Sequence, residues 1–98
     1  MREVHPLLTD RTRLVIMAAL AAEREPLEFL KLAQSLGLSK GNLSSHLRKL
    51  EEQALVMLKK EFVERKPLTT VTCTAEGRAA LSAYLKDLEA MLKKVQGV

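Results

Sequence analysis

Tryptophan is absent from this 98-residue chain, and its only aromatic rings are Phe29, Phe62 and Tyr84. Single-stranded nucleic acid is held by stacking successive bases on aromatic faces, so this scarcity excludes such a platform. It also implies an aliphatic core. Cysteine occurs once, at Cys73, which excludes an internal disulfide and a multi-cysteine zinc site. The longest apolar run, Leu14 to Ala22, has nine residues, about half of the ~18 needed to span a membrane. Residues 1–13 mix Arg2, Glu3, Asp10, Arg11 and Arg13 with a proline, unlike a secretory leader. No internal repeat, low-complexity tract or interdomain linker is visible. A cytoplasmic protein with a single domain over residues 1–98 is expected. Nor can a nucleophile–base pair, a Gly-rich phosphate loop, a metal cluster or paired catalytic carboxylates be assembled, so an enzyme is not expected, and no cofactor either.

What is present is a positive excess with a location. The formal net charge is +4. Residues 1–39 balance five basic against five acidic side chains. Residues 40–66 carry seven basic side chains against four acidic ones, a net +3, and a polyanion site belongs there.

The pattern along the chain is mainly helical. Val4 to Thr9 reads as an extended lead-in, because Pro6 disfavours helix at His5. Asp10 caps a first helix to about Ala22, with Leu14, Met17, Ala18 and Ala21 at helical spacing. Pro26 breaks it; Leu27 to Phe29 suits a very short strand and Leu30 to Leu36 a short second helix. Gly37 then closes that helix, and Ser39 caps a third, about Lys40 to Gln53. Two helices joined by a Gly-Leu-Ser turn have helix-turn-helix spacing. On the third helix Leu43, Leu47, Leu50 and Ala54 share one face, while Gly41, Ser45, Arg48, Lys49 and Glu52 lie opposite. From Leu55 the period becomes two: Leu55 to Phe62 and Thr70 to Thr74 read as strands, with Val63 to Pro67 as the hairpin tip. Thr74 caps a last helix, Ala75 to about Val95. Its Leu81, Leu85, Leu88, Leu92 and Val95 form a heptad seam.

This order is that of a winged helix-turn-helix: mainly α with a small β-hairpin (α+β), and an extended C-terminal dimerisation helix. The helix-turn-helix falls at about 30–53, the wing at about 55–74 and the last helix at about 75–95. The run Leu36-Gly37-Leu38-Ser39-Lys40-Gly41-Asn42-Leu43-Ser44-Ser45-His46-Leu47-Arg48-Lys49-Leu50-Glu51-Glu52 resembles the core of small winged-helix transcriptional regulators related to the MarR and ArsR groups. Arg65-Lys66-Pro67 and the segment Leu68 to Gly77 are similar to their wing and the strand leading into the last helix. The resemblance covers about Arg13 to Leu88. Two departures stand out. Ala54 replaces a glycine usual in these regulators, and the recognition helix lacks the paired Cys-x-Cys of metal-sensing ArsR proteins. The chain is also shorter than full-length MarR proteins, so a sensing function is not inherited.

The expected function is sequence-specific recognition of double-stranded DNA by a dimeric regulator, read as a repressor. Ser39 and Lys40 would meet phosphate at the start of the third helix, and Asn42, Ser44, Ser45, Arg48 and Lys49 would reach base edges or phosphates. Gly41 suits close approach of DNA, or merely tolerance near a helix end. Arg65 and Lys66 would enter a minor groove or clamp phosphate, with Lys60 and Lys59 as backbone contacts or edge-strand charges. The expected dimer interface is Leu81, Leu85, Leu88, Met91, Leu92 and Val95, helped by Val4, Leu7 and Leu8. His46 is expected to pack at the core margin, His5 to lie on the surface, and Cys73 to be an inert core thiol. The alternatives are a winged-helix adaptor for protein partners, which need not keep the third helix basic, and a ligand- or redox-responsive sensor, which needs an interfacial pocket.

Overall fold

The computed structural model describes residues 5–97. Val4, expected at the dimer seam, lies outside the described residues. The lead-in is not extended: Pro6–Thr9 forms one turn of 3-10 helix. Proline is suited to the first helical position, where its missing N–H has no intrahelical partner. The His5 Nδ1 accepts a hydrogen bond from the Leu7 N–H at 3.2 Å, so His5 is a cap rather than a bare surface residue. This turn buries Leu8 completely and packs half-buried Leu7 against the core. Leu8 is therefore spent within its own chain and is not available to a dimer interface.

Asp10 starts α1 (Arg11–Ala21) by accepting the Arg13 N–H at 3.0 Å. That bond to the charged form, the largest influence on it, and the Arg13 charge hold the Asp10 carboxyl below the usual carboxylate range despite partial desolvation. The buried face of α1 is Ile16, Met17 and Leu20; Leu14 and Ala21 are only half-buried and Ala18 is exposed. The expected face is thus rotated, because a helix apolar on all sides gives periodicity nothing to choose between.

After Pro26, β1 (Leu27–Glu28) leads into α2 (Phe29–Leu36). Gly37 adopts φ 67°, the Leu38 N–H donates to the Ala33 carbonyl at 2.9 Å and the Gly37 N–H to Gln34 at 3.2 Å. These are the paired bonds of a left-handed C-terminal cap. Two residues on, the Ser39 Oγ accepts the Asn42 N–H at 3.1 Å and begins α3 (Lys40–Glu52). Leu43, Leu47 and Leu50 are fully buried. The same closure recurs at the end of α3: the Ala54 N–H donates to Glu51 and the Leu55 N–H to Leu50, both at 2.9 Å. Ala54 is therefore outside the helix, exposed and left-handed at φ 60°, rather than on the apolar face. Leu50 and Leu55, both buried, supply the apolar contact that accompanies this cap.

β2 (Val56–Val63) and β3 (Lys66–Cys73) form an antiparallel hairpin, and β1 joins the far side of β3, giving the order β1-β3-β2. Val56, Val71 and Cys73 face the core. The hairpin tip is shorter than the expected Val63–Pro67. Val63 pairs with Lys66 and Phe62 with Pro67, leaving Glu64 and Arg65 as a two-residue turn with φ 52° and 69°. Two left-handed residues match the twist of the strands, so pairing runs up to the turn. Pro67 is tolerated because β1 covers β3 only at Thr70 and Val71, leaving an edge where no N–H is needed.

Thr74 locks this sheet to α4 (Ala75–Val95). Its Oγ1 accepts the Gly77 N–H at 2.9 Å and donates to the Ala54 carbonyl at 2.6 Å. Gly77 is buried where α4 crosses the Leu55 backbone: a Cβ there would collide with the Leu55 carbonyl oxygen and lie 2.9 Å from Met17 Cε. The Arg78 guanidinium donates to the carbonyls of Ala21 at 2.7 Å and Glu23 at 3.1 Å, satisfying acceptors orphaned at the end of α1. Burial raises the pKa of the Cys73 thiol above its ordinary value, against the opposing Arg78 charge. Its Sγ donates to the Thr74 carbonyl at 3.5 Å. The outer half of α4 runs past the body of the molecule, whose extents are 57 × 24 × 22 Å.

Candidate nucleic-acid interface

With its three leucines buried and His46 half-buried, α3 presents the rest outward. Ser39, Lys40, Gly41, Asn42, Ser44, Ser45, Arg48 and Lys49 are all exposed. Acids enter only at Glu51 and Glu52, and among the described residues no carboxylate pairs with Lys40, Arg48 or Lys49. Those cations are left available to an external anion. Ser39 uses one oxygen lone pair on the Asn42 N–H, which leaves its hydroxyl proton free to donate. At Gly41 a Cβ would meet nothing within 4 Å; open space stands above the helix there, with no contact inside the chain that calls for glycine.

The floor beneath α3 is fixed by a side chain that sequence inspection passes over. Arg13 donates from Nε to the Leu7 carbonyl at 2.9 Å, and its other end lies 4.0 Å from Asp10 and 3.5 Å from the His46 Nδ1. It links the 3-10 turn, α1 and α3. His46 is half-buried on the margin of the apolar face, a packing position as expected. No sequence signal marks Arg13, since arginines that bond distant carbonyls look like any surface arginine.

The second cationic group is on the hairpin. Arg65 is in the turn, whereas Lys66 is the first residue of β3, opposite Val63; they are adjacent but not both at the tip. Lys60 lies further down β2, opposite Thr69. Lys59 is on the other strand face and pairs with Glu61 at 3.7 Å. A two-residue turn of this hand favours Asn-Gly. Glu64 and Arg65 occupy it instead, a conformation costing L-residues about 1–2 kcal/mol each.

The expected dimer seam divides in two. Leu81 is 5% exposed and belongs to the core, so it is removed from the interface for the same reason as Leu8. Leu85, Leu88, Met91, Leu92 and Val95 remain exposed, Val95 to 85%.

A family model for the winged helix DNA-binding domain matches residues 12–92. The chain belongs to that family. An uncharacterized protein of Methanocaldococcus jannaschii is 34% identical over 82 residues, covering 84% of this chain and 89% of that protein. The solved structure of a transcriptional regulator homologue from Pyrococcus horikoshii OT3 is 34% identical with a TM-score of 0.84, over 91% of this chain and 87% of that one. At 18% identity the MepR–DNA complex of S. aureus shares the fold, with a TM-score of 0.76 over 92% of this chain and 76% of that one. The winged helix described here is thus the DNA-binding domain of that family, and its fold is shared with solved transcriptional regulators. Among the described residues no helix is long and apolar enough to cross a membrane, and no group of three or more His, Cys, Asp or Glu side chains could hold a metal ion.

Proposed function

We propose that residues 1–98 act as one winged-helix unit that pairs with a second copy in the cytoplasm and represses transcription by occupying a two-fold DNA site. The observation that carries this reading is α3. Its N-terminus is capped but open, its first three turns expose only small, polar and cationic side chains, and its cations have no carboxylate partner among the described residues. Such a helix fits the major groove, with Ser39 and Lys40 at phosphate and Asn42, Ser44, Ser45, Arg48 and Lys49 toward the bases and flanking phosphates. Close approach of the DNA at Gly41 meets no side chain. The wing adds Lys60, Arg65 and Lys66. The strained turn supports a role for Arg65, since a hairpin kept only for stability has a less costly sequence open to it.

One recognition helix reads too few base pairs for a useful preference over bulk DNA. The exposed stripe Leu85, Leu88, Met91, Leu92 and Val95 on α4 supplies the means of pairing, and a two-fold dimer would set its recognition helices about 34 Å apart. Selection of duplexes from a random pool by the purified protein tests the proposal. An enriched two-fold motif, lost when Arg48→Ala and Lys49→Ala are combined in a variant that keeps its melting temperature, is the expected result. Equal affinity of that variant and its parent for the selected site would overturn the assignment of α3.

A further inference from the structure

Phe62 is at odds with the rest of the wing. It is one of three rings among the Phe, Tyr and Trp side chains of the sequence, yet it is 77% exposed, more than any other large apolar side chain among the described residues except Val95. The register sets it opposite Pro67, which is exposed as well. A two-residue turn makes Val63–Lys66 the closing hydrogen-bonded pair, so Phe62–Pro67 is the non-hydrogen-bonded pair behind it, where facing side chains lie closest. The period of a strand puts Lys60 on the same face; Arg65 follows in the turn, and Lys66, opposite Val63, lies on the other face at the hairpin end. An apolar pair therefore sits at the end of a stiff hairpin between cations.

Two features narrow what can cover it. Residues 59–67 carry four basic side chains and two acidic ones. Lys59 is paired with Glu61 and Glu64 shares the turn with Arg65, so Lys60, Arg65 and Lys66 leave a net positive hairpin end that favours an occupant with negative charge beside an apolar edge. The hairpin end is narrow and rigid, held by the left-handed turn and by the fixed φ of Pro67, which suits a groove rather than a flat surface. The minor groove of a duplex has this composition: sugar and base edges between two rows of phosphates. We propose that Phe62, backed by Pro67, is an apolar wedge that the wing presents to the minor groove, with Lys60, Arg65 and Lys66 on the flanking phosphates, and that wing contact bends the duplex. This rests on the DNA-binding reading of α3 and adds a deformation step to it.

The test uses the full chain and a selected duplex labelled at its two ends for energy transfer, with affinity measured across a range of salt. Phe62→Ala is expected to bind about tenfold more weakly, to leave the salt dependence unchanged, and to leave the duplex straighter. Phe62→Leu, which keeps an apolar wedge, should retain most of the affinity and the bend. Lys66→Ala should instead reduce the slope of log affinity against log salt by about one with the bend retained. Phe62→Ala that binds and bends as the parent does would overturn the wedge. So would a Phe62→Ala protein that sediments as a monomer while the parent is a dimer, since the patch would then be a contact between copies. A parent that binds no duplex at all would overturn the DNA reading itself, which separates the two failures.

Discussion

Replacing Ala54 by glycine should make this protein more stable, although it removes a methyl group and loosens the unfolded chain. Ala54 follows the end of α3 with φ 60°, and both bonds of the left-handed cap are in place, from Ala54 to Glu51 and from Leu55 to Leu50 at 2.9 Å. In that conformation the Cβ crowds its own backbone, at about 1–2 kcal/mol for an L-residue. The side chain is exposed, so no packing is lost with it, and the carbonyl that receives the Thr74 hydroxyl is untouched. Glycine gives back about 0.5–1 kcal/mol in the entropy of the unfolded chain. The net gain is about 0.5–1 kcal/mol, or about 2–8 °C in a domain of this size. Thermal unfolding followed by circular dichroism, at equal protein concentration, measures it. Gln53→Gly is the control: one residue earlier φ is −97°, glycine has no advantage there, and the melting temperature should fall. A fall for Ala54→Gly as well would refute the reasoning, because the cap would then not carry the strain assigned to it.

Gly77→Ala should destabilise by about 1–3 kcal/mol, since the new Cβ meets the fixed Leu55 carbonyl rather than a movable side chain; an unchanged denaturation midpoint would mean that α4 crosses elsewhere. Leu88→Ser combined with Leu92→Ser should leave a folded chain that sediments as a monomer at micromolar concentration and binds a two-fold site much more weakly, and a persistent dimer would move the interface off α4. Asp10 has a folded pKa below its unfolded one, so its contribution is present above the ordinary aspartate range and is lost as pH falls through the lower folded value. The stability difference between parent and Asp10→Asn should accordingly shrink toward zero in acid, as followed by urea titration at several pH values. Cys73, buried and with a raised pKa, should react with a thiol reagent only as fast as the protein unfolds; rapid labelling of the native protein would revive the redox sensor.

Helix starts were legible because their chemistry is local: Asp10, Ser39 and Thr74 each bond an N–H three residues on. Gly37 ended α2 for an equally local reason. The exposed face of α3 was legible because three leucines fix its phase and leave most of the rest to solvent. What escaped depended on distant parts of the chain. The Leu14–Ala22 run is apolar on every side, so the α1 face is chosen only when the sheet and α4 pack on it. Leu8 and Leu81 look like seam residues until the fold buries them. The length of the wing was hidden because Glu64-Arg65 is not a usual sequence for the turn it makes, and Pro67 reads as a breaker unless the edge left bare by β1 is known. Gly77 gave a faint signal, a glycine inside a capped helix. Arg13 and Arg78 gave none, because their partners are carbonyls brought near by the fold.

The central claim is that α3 and the wing form the DNA-contacting surface, and amide chemical-shift mapping of the isotopically labelled protein tests it most directly. Addition of the selected duplex should shift Lys40 to Lys49 and Glu64 to Lys66 strongly while leaving the amides of Leu85 to Val95 nearly unmoved. Shifts concentrated on α4 or around Ala22 to Glu28, with those of α3 unchanged, would contradict it.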